Sequence, residues 1–204
     1  PRSAGVFDQE PKKFAMSNQS SSQLTAHLLL VAVTLLAAMG WFFSKSALLA
    51  ITPMYFLAIR FFSSALLMVA MKPRIVLKAT SVQIRNALLT GLVLGVQTSV
   101  WAAALMHSDG LGVGAFLISL SFLLIPVTGL AFGYRAQSQT WIAIAIALPG
   151  VALLALRNGF NLAPADSLFL ISALLYALYF NINGRLCARI PPVTQTFYQM
   201  LSAS

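Results

Sequence analysis

Two positively charged side chains, Lys45 and Arg60, stand in a segment that is otherwise almost entirely apolar, residues 38–64. A charge in apolar surroundings is costly unless a counter-charge, a polar group or water meets it. The Arg60 guanidinium could therefore orient an anionic or polar solute, or pair with a structural partner on a neighbouring element. Lys45 could also contact a solute, or it could lay its apolar stem along apolar surface and keep its charged tip in a polar boundary.

Amide and aromatic side chains recur at helical spacing further along the chain. Gln97 and Trp101 are four residues apart and would share one helix face, where the amide can hydrogen-bond a polar organic solute and the indole can stack on it. A longer stripe, at spacings of three, four and four residues, consists of Tyr176, Tyr179, Asn183 and Cys187. Buried phenol and amide groups need partners, which either a cavity wall or a packed helix can supply.

Further polar and aromatic residues occur near the start and the end of the apolar part of the chain. Trp41, close to Ser44, fits either a solute site or an aromatic belt at a membrane surface. Gln195 and Gln199 repeat the four-residue spacing. The residues expected to contact a substrate are Trp41, Lys45, Arg60, Gln97, Trp101, Tyr179 and Asn183.

The sequence offers little for metal or covalent chemistry. Cys187 is the single cysteine, so no disulfide can form within the chain. His27 and His107 are far apart and neither lies in a cluster with metal-ligand spacing. A phosphate-binding glycine-rich motif and acidic clusters are both absent from the sequence. We therefore expect no enzyme activity, no metal and no cofactor.

Composition places these residues in a membrane. Hydrophobic residues make up 59% of the 204 residues and charged residues 8%, with a mean hydropathy of +0.84. Soluble domains carry roughly a quarter charged residues. The net charge of +9 comes from basic residues spread between apolar segments, which indicates membrane lipid as a partner and argues against nucleic acid.

Six apolar segments have the length of a membrane-spanning helix, about 20 residues. They are 24–44, 53–71, 86–106, 112–133, 140–156 and 166–187, and a seventh begins near Pro192. Residues 1–23 are polar and predict a disordered leader, in which Met16 is a candidate natural start. The predicted fold is thus an all-α, polytopic membrane helix bundle with six complete transmembrane helices and the start of a seventh.

The basic residues also predict an orientation, because cytoplasmic connections are enriched in Lys and Arg. With the N-terminus in the cytoplasm, 10 of the 13 Lys and Arg residues fall on the cytoplasmic side. They are Arg2, Lys12, Lys13, Lys72, Arg74, Lys78, Arg85, Arg135, Arg185 and Arg189. This favours a multi-pass protein of the plasma or inner membrane with a cytoplasmic N-terminus.

Glycine and proline positions predict how the helices meet. Gly91 and Gly95 are four residues apart in the third segment, and Gly129 and Gly133 in the fourth. This spacing lets two helix backbones approach closely, although glycine is common in membrane helices generally. Prolines inside the fourth and fifth segments favour kinks, at Pro126 and Pro149.

The order of several loose motifs resembles the EamA-type domain of the drug/metabolite transporter superfamily. They are AMGWFFSKSAL and TPMYFLAIRFFSSALLM, then LISLSFLLIPVTGLAFGY, WIAIAIALPGVALLAL and ADSLFLISALLYALYFNINGRL, within 24–204. A weak similarity between 40–62 and 179–201 spans an odd number of helices, which is typical of inverted repeats. Tyr134 departs from the family pattern, which often has Glu at this point, as do Ala143 and Ala145, which occupy a region where family members often have Gly.

The resemblance implies two inverted five-helix repeats around a substrate cavity. The chain would hold one full repeat, 24–157, and the start of a second, 158–204, and would be a fragment. It would act, alone or as part of a larger protein, as a secondary transporter of small organic metabolites or drugs by alternating access. The alternative is a membrane scaffold or assembly subunit that transports nothing. Either function is compatible with a homo-oligomer.

The orientation generates a first prediction. We expect a protease to cut the connection at residues 72–85 only from the cytoplasmic side, because that connection carries Lys72, Arg74, Lys78 and Arg85. Digestion of inside-out and right-side-out vesicles, followed by mass spectrometry of the fragments, measures this. Cleavage in right-side-out vesicles would show that the orientation is wrong.

Overall fold

The computed structural model describes residues 10–108, 110–134, 138–157 and 163–204, and these ranges contain helices and no strand. The helices are α1 (Glu10–Leu48), α2 (Pro53–Met71), α3 (Pro73–Leu77), α4 (Ser81–His107), α5 (Leu111–Ser119), α6 (Ser121–Ala131), α7 (Ser138–Arg157), α8 (Pro164–Leu186) and α9 (Pro192–Ala203). The chain divides into two compact units, Pro1–Ser44 and Lys45–Ser204. The first unit contains α1 as far as Ser44, and the second contains the end of α1, from Lys45, and all the other helices.

Five helical segments in the described ranges are long and apolar enough to cross a membrane. They are Gln23–Leu48, Pro53–Met71, Ser81–His107, Leu111–Ala131 and Pro164–Leu186. The protein is therefore an all-helical, multi-pass membrane protein. The sixth predicted span, 140–156, lies in α7. The apolar stretch found there among the described residues, Ser138–Ala147, is shorter than a membrane span. That span stays a prediction.

The structure corrects the predicted leader. Disorder is wrong from Glu10 onward, because α1 begins there and continues without a break into the apolar segment. Pro11 stands in the first turn, where its missing N–H costs no helical hydrogen bond. Neither Gly nor Pro follows until Gly40, so nothing in the polar stretch ends the helix. Residues 1–9 lie outside the described ranges.

Helix α4 is the centre of the second unit and packs mainly against α8 and α9. It runs antiparallel to α8: Gln97 bonds Ser172, whereas Asn86, nearer the start of α4, bonds the carbonyl oxygen of Leu186, nearer the end of α8. The residues buried between the helices are mostly small or apolar. They include Ala87, Leu94, Ala102, Ala104, Leu105, Phe169, Ala173 and Ala177.

The first glycine pair explains how α9 reaches α4. A Cβ atom at Gly91 would lie 2.6 Å from the backbone oxygen of Gln199, and one at Gly95 would lie 3.2 Å from the Cα of Ala203. A Cβ at Gly91 would overlap the α9 backbone and one at Gly95 would crowd it, so glycine at these positions lets the two backbones approach. The predicted packing role of Gly91 and Gly95 is confirmed, and their contacts show that α9 runs parallel to α4.

The second glycine pair behaves differently. Gly129 lies against α8, because a Cβ there would be 3.1 Å from Oδ1 of Asn181. The placement of Gly133 inside the helix is wrong: α6 ends at Ala131, and Gly133 has a φ of 79°. The N–H groups of Gly133 and Tyr134 donate to the carbonyl oxygens of Leu130 and Gly129, at 3.0 Å each. This is a Schellman motif, in which glycine takes the left-handed position that ends a helix.

The fourth predicted span consists of two helices. Leu120 separates α5 from α6, and its N–H donates to the carbonyl oxygen of Leu117, three residues earlier. Pro126 follows inside α6, and because it has no N–H, the helix cannot form its regular hydrogen bond there. Pro149 likewise lies inside α7. Both prolines therefore lie inside apolar helices, and the kinks expected at them stay a prediction.

The α4–α9 contact generates a prediction for stability. We expect Gly91→Ala to destabilise the protein by about 1–3 kcal/mol, the range for overpacking a close contact, because the new methyl group meets the backbone of α9. Unfolding in detergent, followed by circular dichroism against temperature, measures the change. Gly112→Ala is the control, since its Cβ meets no atom within 4 Å. Equal melting temperatures for the two variants would contradict the close contact.

Candidate functional site

A cluster of uncharged polar side chains joins α4, α8 and α9. We call it the amide cluster: Thr90, Tyr179, Asn183, Gln195 and Gln199. Gln199 Nε2 donates to Thr90 Oγ1 at 2.8 Å and to Asn183 Oδ1 at 2.7 Å. Gln195 Nε2 donates to the same Asn183 oxygen at 2.7 Å. Tyr179 OH donates to Gln199 Oε1 at 3.2 Å.

The amide cluster is largely closed to the surroundings. Thr90 is 0% exposed and Gln199 3%, and the Thr90 hydroxyl also donates to backbone oxygens of its own helix. Cys187, at the end of α8, places its sulfur 3.5 Å from Thr90 Oγ1. The structure thus brings two candidate residues, Tyr179 and Asn183, into bonds between helices. It adds Gln195 and Gln199 to them.

Gln97 lies about two turns further along α4, at a second contact with α8. Its Nε2 donates to Ser172 Oγ at 2.9 Å, and the Ser172 hydroxyl donates to the backbone oxygen of Gln97 at 3.2 Å. Gln97 is 5% exposed, and its side-chain oxygen Oε1 has no hydrogen-bond partner within the part of the chain that the structure describes. The described residues thus leave the hydrogen-bonding capacity of this buried oxygen unused.

Arg60 and Trp101 meet one turn beyond Gln97. The guanidinium carbon of Arg60 lies 5.9 Å from the ring centroid of Trp101 and 5.9 Å from that of Phe56, one turn earlier on α2. Both distances are within the range of cation–π attraction. Trp101 is buried, whereas Arg60 stays exposed. The cation is therefore held by two aromatic rings at the contact between α2 and α4.

Lys45 has a structural role at the end of α4. Its ammonium donates to the backbone oxygens of Leu105, Met106 and Ser108, at 2.8, 3.3 and 2.6 Å. The last carbonyl groups of a helix have no partner within it and carry partial negative charge, which a cation neutralises. The ammonium therefore caps α4, a contact that neither reading of Lys45 from the sequence included.

Trp41 lies on α1 in the unit Pro1–Ser44. In the same unit the Ser44 hydroxyl donates to the backbone oxygen of Gly40 at 2.6 Å. For metals, no group of three His, Cys, Asp or Glu side chains comes together in the described ranges, so no metal site can be assigned.

Sequence reasoning missed Asn181, which joins α8 to α6. Its amide nitrogen donates to the backbone oxygens of Ile125 and Ala177, at 3.0 Å each, and to Thr128 Oγ1 at 2.9 Å. It borders a cavity of about 440 Å³ between α6, α7 and α8, beside Pro126. An amide inside a predicted span was the available signal, since such a group needs partners in lipid.

Comparison with protein-family models, with curated proteins and with solved structures finds no match to this chain. Function therefore has to be argued from the contacts above.

The amide cluster generates a prediction for its central pair. We expect Asn183→Ala and Gln199→Ala to be coupled by about 0.6–2 kcal/mol, the range for hydrogen bonds between membrane helices, because they share a 2.7 Å bond. A double-mutant cycle of unfolding free energies in detergent measures this coupling. The pair Asn183→Ala and Ser63→Ala serves as the control, since Ser63 bonds only the backbone of its own helix. Additive effects in the first cycle would contradict the bond.

Proposed function

We propose that this chain is a secondary transporter, or part of one, for small organic metabolites or drugs. The supporting observation is Arg60, whose cation lies about 10 Å along the apolar helix α2, seven residues after Pro53. Placing an arginine at mid-membrane costs at least about 2.5–3.5 kcal/mol on insertion scales, so such a residue usually serves a site or pathway. Arg60 contacts aromatic rings, which attract its cation without neutralising the charge, so a solute could still do so.

Two further features support transport. The span Leu111–Ala131 is interrupted at Leu120 and again carries Pro126, and transporters commonly build substrate sites from interrupted helices. Gln97, one turn from Trp101, keeps a buried oxygen without a partner in the described chain. We infer that Arg60, Trp101 and Gln97 face a polar pathway, in a plasma or inner membrane, with inverted repeats that alternate in access.

The amide cluster favours the second candidate function, a membrane scaffold or assembly subunit. Tyr179 and Asn183 bond other helices of the chain, so these two residues hold the bundle together. A scaffold needs stable helix contacts and no water-filled pathway. The two functions therefore differ in whether water reaches the Arg60 level of α2 and α4.

Thiol accessibility tests this difference. In a Cys187→Ala background, we expect Ser64→Cys, one turn after Arg60 on the same face of α2, to react with a charged, membrane-impermeant thiol reagent. Phe62→Cys is the matched control, because it points to nearly the opposite side of α2 and is 57% exposed on the bundle surface, where lipid would cover it. Mass spectrometry of protein labelled in sealed vesicles measures both reactions.

Labelling of Ser64→Cys with protection of Phe62→Cys fits a transport pathway. Protection of both cysteine variants would exclude a transport pathway at this level and favour the scaffold function. Uptake into vesicles gives the second measurement: normal transport by a well-folded Arg60→Ala protein would exclude Arg60 from the pathway.

A further inference from the structure

We propose that Phe56, Arg60 and Trp101 bind a small organic monocarboxylate with a flat apolar body. This proposal rests on the proposed transport function and names the class of substrate. It begins with what the guanidinium lacks. Five N–H donors surround the Arg60 charge, and the described residues offer the guanidinium two rings but no hydrogen-bond acceptor.

The shape of the group favours a carboxylate. A guanidinium presents its donors in a planar fork, and a carboxylate accepts two parallel hydrogen bonds from it. Aromatic rings attract a cation through their faces and leave the fork available. A neutral solute could accept one of these bonds, but it would not neutralise the charge on α2.

The number of charges favours a monoanion. The other cation of the same sequence segment, Lys45, is already bonded to three backbone oxygens at the end of α4. It therefore has no donor to spare for a second negative charge, since an ammonium carries three. A phosphate, which carries more than one negative charge near neutral pH, would stay only partly neutralised beside Arg60.

The two rings make the surroundings of the fork apolar. Phe56 and Trp101 stand at equal distances from the guanidinium carbon of Arg60, 5.9 Å each, so the charge lies beside aromatic surface and not beside other polar groups. Flat apolar groups stack on such rings more favourably than hydrated ones. An aromatic carboxylate combines both contacts, and benzoate is the simplest probe of this class.

Tryptophan fluorescence provides the experiment. The full chain has three tryptophans, so Trp41→Phe and Trp141→Phe leave Trp101 as the only reporter. The purified protein in detergent is titrated with benzoate, with its neutral analogue benzyl alcohol and with inorganic phosphate. We expect saturable quenching by benzoate, about 10- to 100-fold tighter than by benzyl alcohol, as a charge-assisted hydrogen bond implies.

Variants assign the effect to Arg60. We expect Arg60→Gln to lower the affinity for benzoate to that for benzyl alcohol. Arg60→Lys should bind benzoate with intermediate affinity, because a lysine keeps the charge without the planar fork of donors. Arg85→Gln removes a different exposed arginine, at the start of α4, and should leave benzoate binding unchanged. The circular dichroism of each variant must match that of the parent protein.

Three results would overturn the proposal: no binding of benzoate, equal binding of benzoate and benzyl alcohol, or phosphate binding as tight as benzoate. Comparison with thiol labelling separates the two proposals. If Ser64→Cys is labelled but the protein binds benzoate no more tightly than benzyl alcohol, the transporter proposal stands and the monocarboxylate proposal is rejected. Protection of Ser64→Cys with selective benzoate binding retains the anion site and rejects the pathway.

Discussion

The second unit depends on one constraint: polar groups that lie away from water must find partners inside the protein. Helix α4 meets this constraint at successive levels. Thr90 bonds Gln199, Gln97 bonds Ser172, and the carbonyl groups at the end of the helix bond Lys45. Each partner comes from a different element, so the same bonds that satisfy α4 also fix its neighbours around it.

This constraint also explains which residue types form the contacts. Apolar side chains gain little by leaving lipid for another helix, so close packing and hydrogen bonds must supply the attraction. Gly91 allows the α9 backbone to approach, and uncharged amides then bond across the contact without the cost of burying a charge. The short helix α9 is held in this way by glycine on one side and by amide groups on another.

The sequence predicts those features that depend on local pattern. Apolar length located five of the six predicted spans, and four-residue spacing identified Gly91 with Gly95 and the face of Tyr179 and Asn183. It could not predict which helix end Lys45 caps, because that depends on where α4 finishes in space. For the same reason the pairing of Asn183 with Gln199 followed from no spacing. The helix from Glu10 was missed because composition was given more weight than the absence of helix-breaking residues.

Lys45 and Arg60, the two cations of the apolar segment 38–64, have different kinds of contact in the structure. Lys45 and Arg60 stand in one apolar segment, yet three backbone oxygens bond the first, while two aromatic rings contact the second. A cation that only holds helices together would be expected to bond oxygens, as Lys45 does, because those bonds compensate for lost hydration. Contacts with aromatic rings compensate a cation for lost hydration only in part. The fork of Arg60 is thus the group that a solute could still satisfy, which is why the proposed function is centred there.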